Sequence, residues 1–216
     1  MTGPAAPARR GGRRRRSGRR GGDSGTKEAI LAAARTRFGD YGYVGATIRG
    51  IAADAGVDAA LVHHFFGTKE RLFAAAMRLP VVPSELVATA LAPGAREPGQ
   101  SLGEHLLRTV LGAWDVAEMR ATFVGLLRSA VTSEQAAGML REFATEAILG
   151  RIAGAAAPGP SGADAQFRAA LVASQVLGLA LTRYVLELDP IVRAGTDDLA
   201  AAIGPTLERY LTGEIR

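Results

Sequence analysis

Apolar residues along this chain recur mostly at the spacing of an α-helix, and no stretch shows the period of two that is typical of a strand. The first helical pattern starts near Lys27, and Gly39 and Gly42 are predicted to end it. Its apolar face comprises Ile30, Leu31, Ala34 and Phe38. The spacing therefore predicts an all-α chain.

Three shorter helices are predicted next, each opened by a residue whose side-chain oxygen can cap a helix N-terminus. The capping residues are Thr47, Asp58 and Thr68. Gly56 is predicted to end the first of these helices, and Pro80 lies just beyond the third. The first two helices and the glycine-containing turn between them, over residues 47–66, have the spacing of a helix-turn-helix motif.

The rest of the chain shows longer helical patterns, with breaks rich in glycine and proline at 93–99 and 157–163. The predicted helices span residues 84–92, 100–114, 116–131, 134–154, 164–188 and 197–211. Segment 164–188 has two apolar faces, one with Val172, Val176, Leu179 and Leu186 and the other with Leu177, Leu181, Tyr184 and Leu188. Such a helix is either buried at the centre of a fold or shared with a second subunit.

Charge is distributed unevenly along the 216 residues, whose formal net charge is +5. Residues 1–22 hold eight arginines and no acidic residue, whereas residues 80–216 hold eleven basic and fifteen acidic residues. Because residues 1–25 have almost no aliphatic side chain and no aromatic one, they are expected to be disordered. A cationic end on a mildly acidic body indicates a polyanionic partner near that end.

The cysteine content and the lengths of the apolar runs indicate the cellular compartment of the protein. The chain has no cysteine, which excludes disulfides and thiolate metal sites. Its longest apolar run, residues 169–182, is shorter than the roughly 18–20 residues that a membrane span needs. No apolar stretch follows the arginines as it would in a signal peptide. We therefore expect a soluble cytoplasmic protein with no membrane partner.

Catalytic and metal-binding signatures are thin. Residues 159–162 (GPSG) do not form a nucleophile elbow, and His105 has no obvious catalytic partner. His63 and His64 are neighbours, so they point about 100° apart on a helix, and no third ligand stands at ligand spacing. A nucleic-acid contact and an ordinary core or surface role therefore both stay open for this pair. Neither an enzymatic activity nor a cofactor is expected.

Residues 26–73 resemble the DNA-binding domain of the tetracycline-repressor (TetR) family. The matching text, ILAAARTRFGDYGYVGATIRGIAADAGVDAALVHHFFGTKERLF, carries Phe, then Gly-Tyr, then Thr-x-x-x-Ile-Ala-x-x-Ala-Gly-Val, then His-x-Phe-Phe-x-x-Lys-Glu-x-Leu. The resemblance implies that the second motif helix enters the major groove of DNA. It implies DNA contacts for Thr47, Arg49, Ala59, Ala60, His63, His64 and Lys69.

Two positions depart from the family pattern: His63 stands where tyrosine is usual, and Gly67 where proline is common. Ala59 and Ala60 offer little hydrogen bonding on the recognition helix. Base reading is then expected to depend on Arg49, on methyl contacts from the alanines, and on groove shape.

The resemblance further implies a homodimeric regulator, most often a repressor, that binds a palindromic operator and is released by a small molecule. It divides the chain into a tail (1–25), a DNA-binding domain (26–79) and a ligand-binding and dimerisation domain (80–216). Segments 164–188 and 197–211 would form the dimer, and ligand would displace segment 68–79, which leans on 100–114.

Eight residues are candidates for ligand contact, with plain core packing as the alternative for each: His105, Trp114, Met119, Phe123, Leu127, Arg128, Phe143 and Leu177. Arg128 lies on a helix otherwise short of charge and is a candidate partner for an acidic ligand. The competing hypothesis is a constitutive, sequence-non-specific nucleic-acid-binding or architectural protein dominated by the arginine-rich tail. Activation of transcription is a third possibility.

Overall fold

The computed structural model of the chain describes residues 19–155 and 162–214, and all regular structure within these ranges is helical. The all-α prediction is confirmed. The helices are α1 (Arg19–Gly45), α2 (Ile48–Asp54), α3 (Ala59–Phe66), α4 (Lys69–Ala76), α5 (Pro83–Ala90), α6 (Leu102–Trp114), α7 (Ala117–Thr132), α8 (Glu134–Phe143), a π-helical turn (Ala144–Leu149), α9 (Gly150–Ala155), α10 (Gly162–Tyr184), α11 (Asp189–Arg193) and α12 (Thr196–Thr212).

Helix α1 differs from its prediction at both ends. It begins at Arg19, so the expected disorder of residues 19–25 is wrong, while the same expectation for residues 1–18 falls outside the described residues. A helix that is already nucleated gains about one hydrogen bond for each residue added at its end, which favours this extension. Gly39 does not end the helix; the break comes at Gly42, whose φ of 70° interrupts the helical backbone.

The three predicted helix caps are confirmed. The Thr47 hydroxyl accepts from the N–H of Gly50 at 3.1 Å, and the Asp58 carboxylate accepts from the N–H of Ala60 at 2.7 Å. The Thr68 hydroxyl accepts from the N–H of Arg71 at 3.2 Å. Each cap satisfies a backbone donor that the helix itself leaves unpaired, which fixes where α2, α3 and α4 begin.

The first hydrophobic core belongs to the helix-turn-helix region but does not end with it. Phe38, Tyr43 and Phe73 are buried there, and Phe143 from α8 is buried among them. The ring of Phe143 stacks on that of Phe73 with centroids 4.4 Å apart and meets the ring of Tyr43 edge-on at 5.2 Å. The first hydrophobic core therefore includes residues from both sides of residue 79, the predicted boundary between the DNA-binding domain and the C-terminal domain.

The second core lies around α6 and α12, which form the most extensive helix pair of the described residues. Leu107 and Leu207 are fully buried in it. The two helices approach closely where Gly103 faces Gly204, because a Cβ on Gly103 would lie 2.3 Å from the Gly204 carbonyl oxygen. The expectation that 68–79 leans on 100–114 is wrong, since α4 packs chiefly on α1 and α6 packs chiefly on α12.

Helix α10 has two apolar faces, as predicted, but it is shorter than predicted. Its inward face buries Val172 and Leu179, while Phe167, Leu177 and Leu181 form an exposed row, here called the α10 stripe. The helix ends at Tyr184, which is buried with the inward face, so Leu186 and Leu188 follow it in the connection to α11.

That connection turns at Glu187, whose φ of 50° is left-handed. A residue in this conformation cannot continue a right-handed helix.

Among the described residues, the segment Asp164–Tyr184 is the one helix that is long and apolar enough to cross a bilayer. The core helix of a soluble protein passes the same test of length and composition.

Candidate nucleic-acid interface

Helix α3 presents one side to solvent and packs the other into the first core. Val62 and Phe66, one turn apart, are buried and hold the helix in place. On the opposite side Ala60, His63 and His64 are exposed, and Ala59 at the start of the helix is half-buried. The exposed side of α3 therefore has small alanine side chains at its N-terminal end and two imidazole rings, which can form hydrogen bonds, near its C-terminal end.

Helix α2 brings two more of the predicted contacts to the surface. Thr47, the cap of α2, and Arg49 in its first turn are exposed. Arg37 on α1 holds the other end of α2, since its Nη2 donates to Asp54 Oδ1 at 3.0 Å. That hydrogen bond lowers the pKa of Asp54. The short helix is therefore fixed at both ends, and its exposed N-terminus has a defined position.

His63 makes a local contact of its own. Its Nδ1 donates to the Gly67 carbonyl oxygen at 2.9 Å. With Nδ1 committed to this bond, the ring can donate to a phosphate only if Nε2 also carries a proton. No group of three or more histidine, aspartate or glutamate side chains that could hold a metal is present in the searched part of the chain, which covers the described residues.

Lys69 lies apart from the exposed side of α3. Its Nζ donates to the Val44 carbonyl oxygen at 3.2 Å and sits 4.7 Å from the centre of the Tyr43 ring. Burial lowers the pKa of Lys69, and the charges of Glu142, Glu70 and Glu146 oppose this shift. The phosphate contact proposed for Lys69 stays a prediction, and it requires the ammonium to leave the Tyr43 ring.

A cleft of about 680 Å³ lies between α7 and the end of α10, and we call it the α7–α10 cavity. Arg120, Arg128 and Arg183 line it together with the apolar side chains of Val124 and Val192. Arg183 is already committed, since its Nη1 donates to the carbonyl oxygens of Ile191 and Ala194 at 2.7 and 2.9 Å. Arg120 and Arg128 are exposed on α7.

Tyr184 closes one side of the α7–α10 cavity. Its hydroxyl donates to Asp115 Oδ1 at 2.8 Å, and burial together with this bond raises the pKa of Tyr184 to about 12. The ring meets Trp114 edge-on at 6.3 Å, and Trp114 stacks on Phe123 at 4.5 Å. This aromatic group supports the wall of the cavity.

The eight candidate ligand residues do not converge on one site. Arg128 lines the α7–α10 cavity, Trp114 and Phe123 stand beside it, Met119 is buried on α7, and Leu127 is half-buried. Phe143 lies in the first core, where it packs on Phe73, and Leu177 lies in the α10 stripe. His105 lines a different cleft, of about 640 Å³, with its Nδ1 3.1 Å from Gln100 Oε1.

Residues that the sequence analysis left out have structural roles at the joint between the two parts of the chain. Glu142 accepts from the N–H of Val44 at 2.8 Å, and Gln135 donates to the carbonyl oxygen of Gly39. Glu142 and Glu146 lie four residues apart on one helix face, a spacing that is typical of solvated carboxylates. The sequence therefore does not predict the hydrogen bond between Glu142 and Val44. Partners about 100 residues apart in sequence leave no local pattern.

An N-terminal helix-turn-helix with an exposed second helix, joined to a larger helical body, defines a class of DNA-binding transcriptional regulators. Residues 30–76 match the family described as "Bacterial regulatory proteins, tetR family", and residues 100–211 match "Tetracyclin repressor-like, C-terminal domain". The chain belongs to the TetR family.

A solved TetR-family regulator from Streptomyces coelicolor A3 is 36% identical, with 90% of this chain and 99% of that chain covered and a TM-score of 0.51. The transcriptional regulator BetI of Rhizobium meliloti is 44% identical over 52 residues, which span 24% of this chain and 26% of BetI. BetI of Brucella anthropi is 48% identical over 52 residues, with the same shares covered. The chain thus matches about a quarter of the length of these curated relatives.

Proposed function

We propose that this chain is a ligand-responsive repressor that binds a palindromic DNA operator as a homodimer and releases it when a small molecule binds. The observation that carries the proposal is the exposed side of α3, where two alanines precede two histidines on a helix anchored by Val62 and Phe66. Small side chains allow the backbone of a recognition helix to approach base edges and thymine methyl groups closely.

Dimerisation is supported by the α10 stripe. Phe167, Leu177 and Leu181 are 59%, 45% and 42% exposed, although they lie on the longest helix of the C-terminal part. Packing of this stripe against a second copy about a two-fold axis removes its apolar area from water. The same axis repeats the two helix-turn-helix motifs, so the operator is proposed to be palindromic.

The α7–α10 cavity is the proposed ligand site. Arg120 and Arg128 point to a ligand with an acidic group, since a guanidinium pairs well with a carboxylate. Of the 16 residues in α7 only Met119 is buried, so this helix is a weakly anchored wall of the cavity. A ligand that binds better when α7 is displaced shifts the population of the two forms, and DNA and ligand then weaken each other reciprocally.

Selection from a library of random duplexes tests the proposed function. The chain should enrich a palindrome and prefer it to scrambled DNA by a factor of roughly 10³ or more. Arg49→Ala should alter the preferred base at one position in each half-site, because Arg49 is exposed at the start of α2. Arg96→Ala, an exposed change in the segment between α5 and α6, is the matched control and should leave the selected sequence unchanged.

Equal affinity for selected and scrambled duplexes would contradict the proposal. That result would favour the constitutive, non-specific binder dominated by the arginines of residues 1–22.

A further inference from the structure

Helix α8 is attached to the end of α1 by two polar contacts, one near each of its own ends. Gln135 donates from Nε2 to the carbonyl oxygen of Gly39, and Glu142 Oε2 accepts from the N–H of Val44 at 2.8 Å. Between these points α8 packs along α1 more extensively than on any other helix of the described residues. The C-terminal part of the chain therefore holds the end of α1 directly.

The Glu142 carboxylate lies against the backbone of the α1–α2 turn, residues 42–47. A Cβ placed on Gly42 would lie 2.6 Å from Glu142 Oε2, and the φ of Gly42 is 70°. The absence of a side chain at this position thus serves two needs, the left-handed backbone and the close approach of the carboxylate.

Val44 is held on both sides of its backbone. Glu142 takes its N–H, and the Lys69 ammonium takes its carbonyl oxygen at 3.2 Å. The two holders are themselves coupled, because Glu142 is the carboxylate that acts most strongly to raise the pKa of the partly buried Lys69. Val44 itself is 55% exposed, so its own side chain does little to fix the turn.

The turn ends at the part of the motif that is proposed to meet DNA. Thr47 lies three residues beyond Val44 and caps α2, and Arg49 stands in the first turn of that helix. Immediately after Phe143 the chain forms a π-helical turn, a feature frequently found beside functional sites. A shift in the end of α8 would thus be passed to α2 through only a few covalent bonds and one hydrogen bond.

We propose that Glu142 is a positioning residue for DNA binding: from α8 it holds the N–H of Val44 and so sets the position of Thr47 and Arg49 at the start of α2. This inference rests on the proposed DNA-binding function. The proposed effect of Glu142 passes through the α1–α2 turn and requires no contact between Glu142 and DNA.

Three single substitutions separate the hydrogen bond from the charge. Glu142→Ala removes the acceptor and one negative charge, and Glu142→Gln removes the charge but keeps an oxygen that can accept from Val44. Glu146→Ala is the matched control, because it removes another carboxylate that acts on Lys69 and Tyr43. Each is titrated as the full chain against the wild-type-selected duplex and a scrambled one at the same salt concentration.

The proposal predicts that Glu142→Ala lowers the ratio of specific to non-specific affinity by about 5- to 10-fold, the scale expected for the loss of one hydrogen bond of ordinary net strength. Glu142→Gln and Glu146→Ala should keep the wild-type ratio within about twofold, even if the loss of a negative charge strengthens binding to every duplex. Equal ratios for Glu142→Ala and Glu142→Gln would overturn the proposal.

Amide hydrogen exchange in the free protein provides a second measurement that needs no DNA. The N–H of Val44 should exchange at least about tenfold faster in Glu142→Ala than in Glu142→Gln, while the N–H groups of α6 keep the same protection in both. Unchanged exchange at Val44 refutes the positioning role even if no operator is found. Faster exchange together with failure of the wild-type chain to select any duplex refutes the proposed function and leaves the contact established.

Discussion

At the scale of single residues, the joint between the helix-turn-helix and the helical body concentrates unusual side-chain environments. Tyr43 is 4% exposed and lies among Phe38, Phe73 and Phe143, with the Lys69 ammonium above its ring. Burial, helped by the charges of Glu70 and Glu146, raises the pKa of Tyr43 to about 12. The phenol therefore keeps its proton in the folded chain at a pH where an unfolded chain has lost it.

The raised pKa of Tyr43 makes the free energy of unfolding depend on pH. A folded pKa above the unfolded value of about 10 gives stability that is fully present below pH 10 and is lost as pH rises to about 12. Tyr43→Phe has no phenol to titrate and should not show this loss. Between pH 10 and 12 the free energy of unfolding of the wild type should therefore fall by about 2 kcal/mol more than that of Tyr43→Phe. Urea unfolding at pH 9.5, 10.5 and 11.5 measures the difference, and parallel curves would contradict it.

Residue types alone predict the local contacts but not the distant ones. Thr47, Asp58 and Thr68 could be identified as caps because a cap bonds to an N–H only two or three residues further along. The contacts of the Lys69 ammonium with Val44 and Tyr43 could not be predicted in this way, because folding alone brings these residues together. Glu142 is 98 residues from its donor, so its sequence neighbours contain no sign of the contact.

At the scale of helices, the pair α6–α12 illustrates how one position controls a whole packing surface. Gly103 lies where a Cβ would be 2.3 Å from the Gly204 carbonyl oxygen and 2.5 Å from the Glu208 nitrogen, both backbone atoms that cannot rotate away. The N–H of Gly103 also donates to Glu208 Oε2 at 2.8 Å. The separation of these helices is therefore set by the absence of a side chain.

Two glycine substitutions in α6 should have opposite effects on stability. Gly103→Ala should lower the free energy of unfolding by about 3 kcal/mol, because α12 must move outward. Gly112→Ala, on the same helix in open space, should raise it by about 0.5–1 kcal/mol through the lower entropy of the unfolded chain. Urea unfolding at one fixed protein concentration compares them, and a shift of both in the same direction would disprove the role of the crossing.

Apart from the short α11, the existence of the helices follows from the apolar spacing, whereas helix ends and helix partners do not. The predicted 164–188 ends at Tyr184 because the backbone turns at Glu187, and the predicted 134–154 contains a π-helical turn that the apolar pattern does not mark. In sequence Gly103 and Gly112 are equivalent glycines within one helical pattern. Only the placement of α12 distinguishes them.

At the scale of the whole molecule, the α10 stripe predicts the assembly. Leu181→Glu would place a charge in the proposed two-fold contact, and burying an unpaired charge is costly. By sedimentation equilibrium at micromolar concentration, the wild type should have twice the chain mass of 22.4 kDa, and Leu181→Glu should have the mass of one chain. Val131→Glu, at an 87% exposed position on α7, is the control and should stay dimeric.

A monomeric wild type would contradict the assignment of α10 to the dimer. A monomeric Val131→Glu would show that a new negative charge anywhere on the body separates the subunits, and the stripe would lose its special role.

The core that runs from Phe38 through Phe73 to Phe143 constrains the design of chimeric regulators. A DNA-reading head cut from this chain after residue 79 would carry the aromatic half of a contact whose other half stays behind on α8. A transplant onto the body of another regulator must therefore bring the ring at position 143 and the acceptor at position 142 with it, or find their equivalents in the host. The natural unit of exchange is a discontinuous one, made of the first four helices and one later helix.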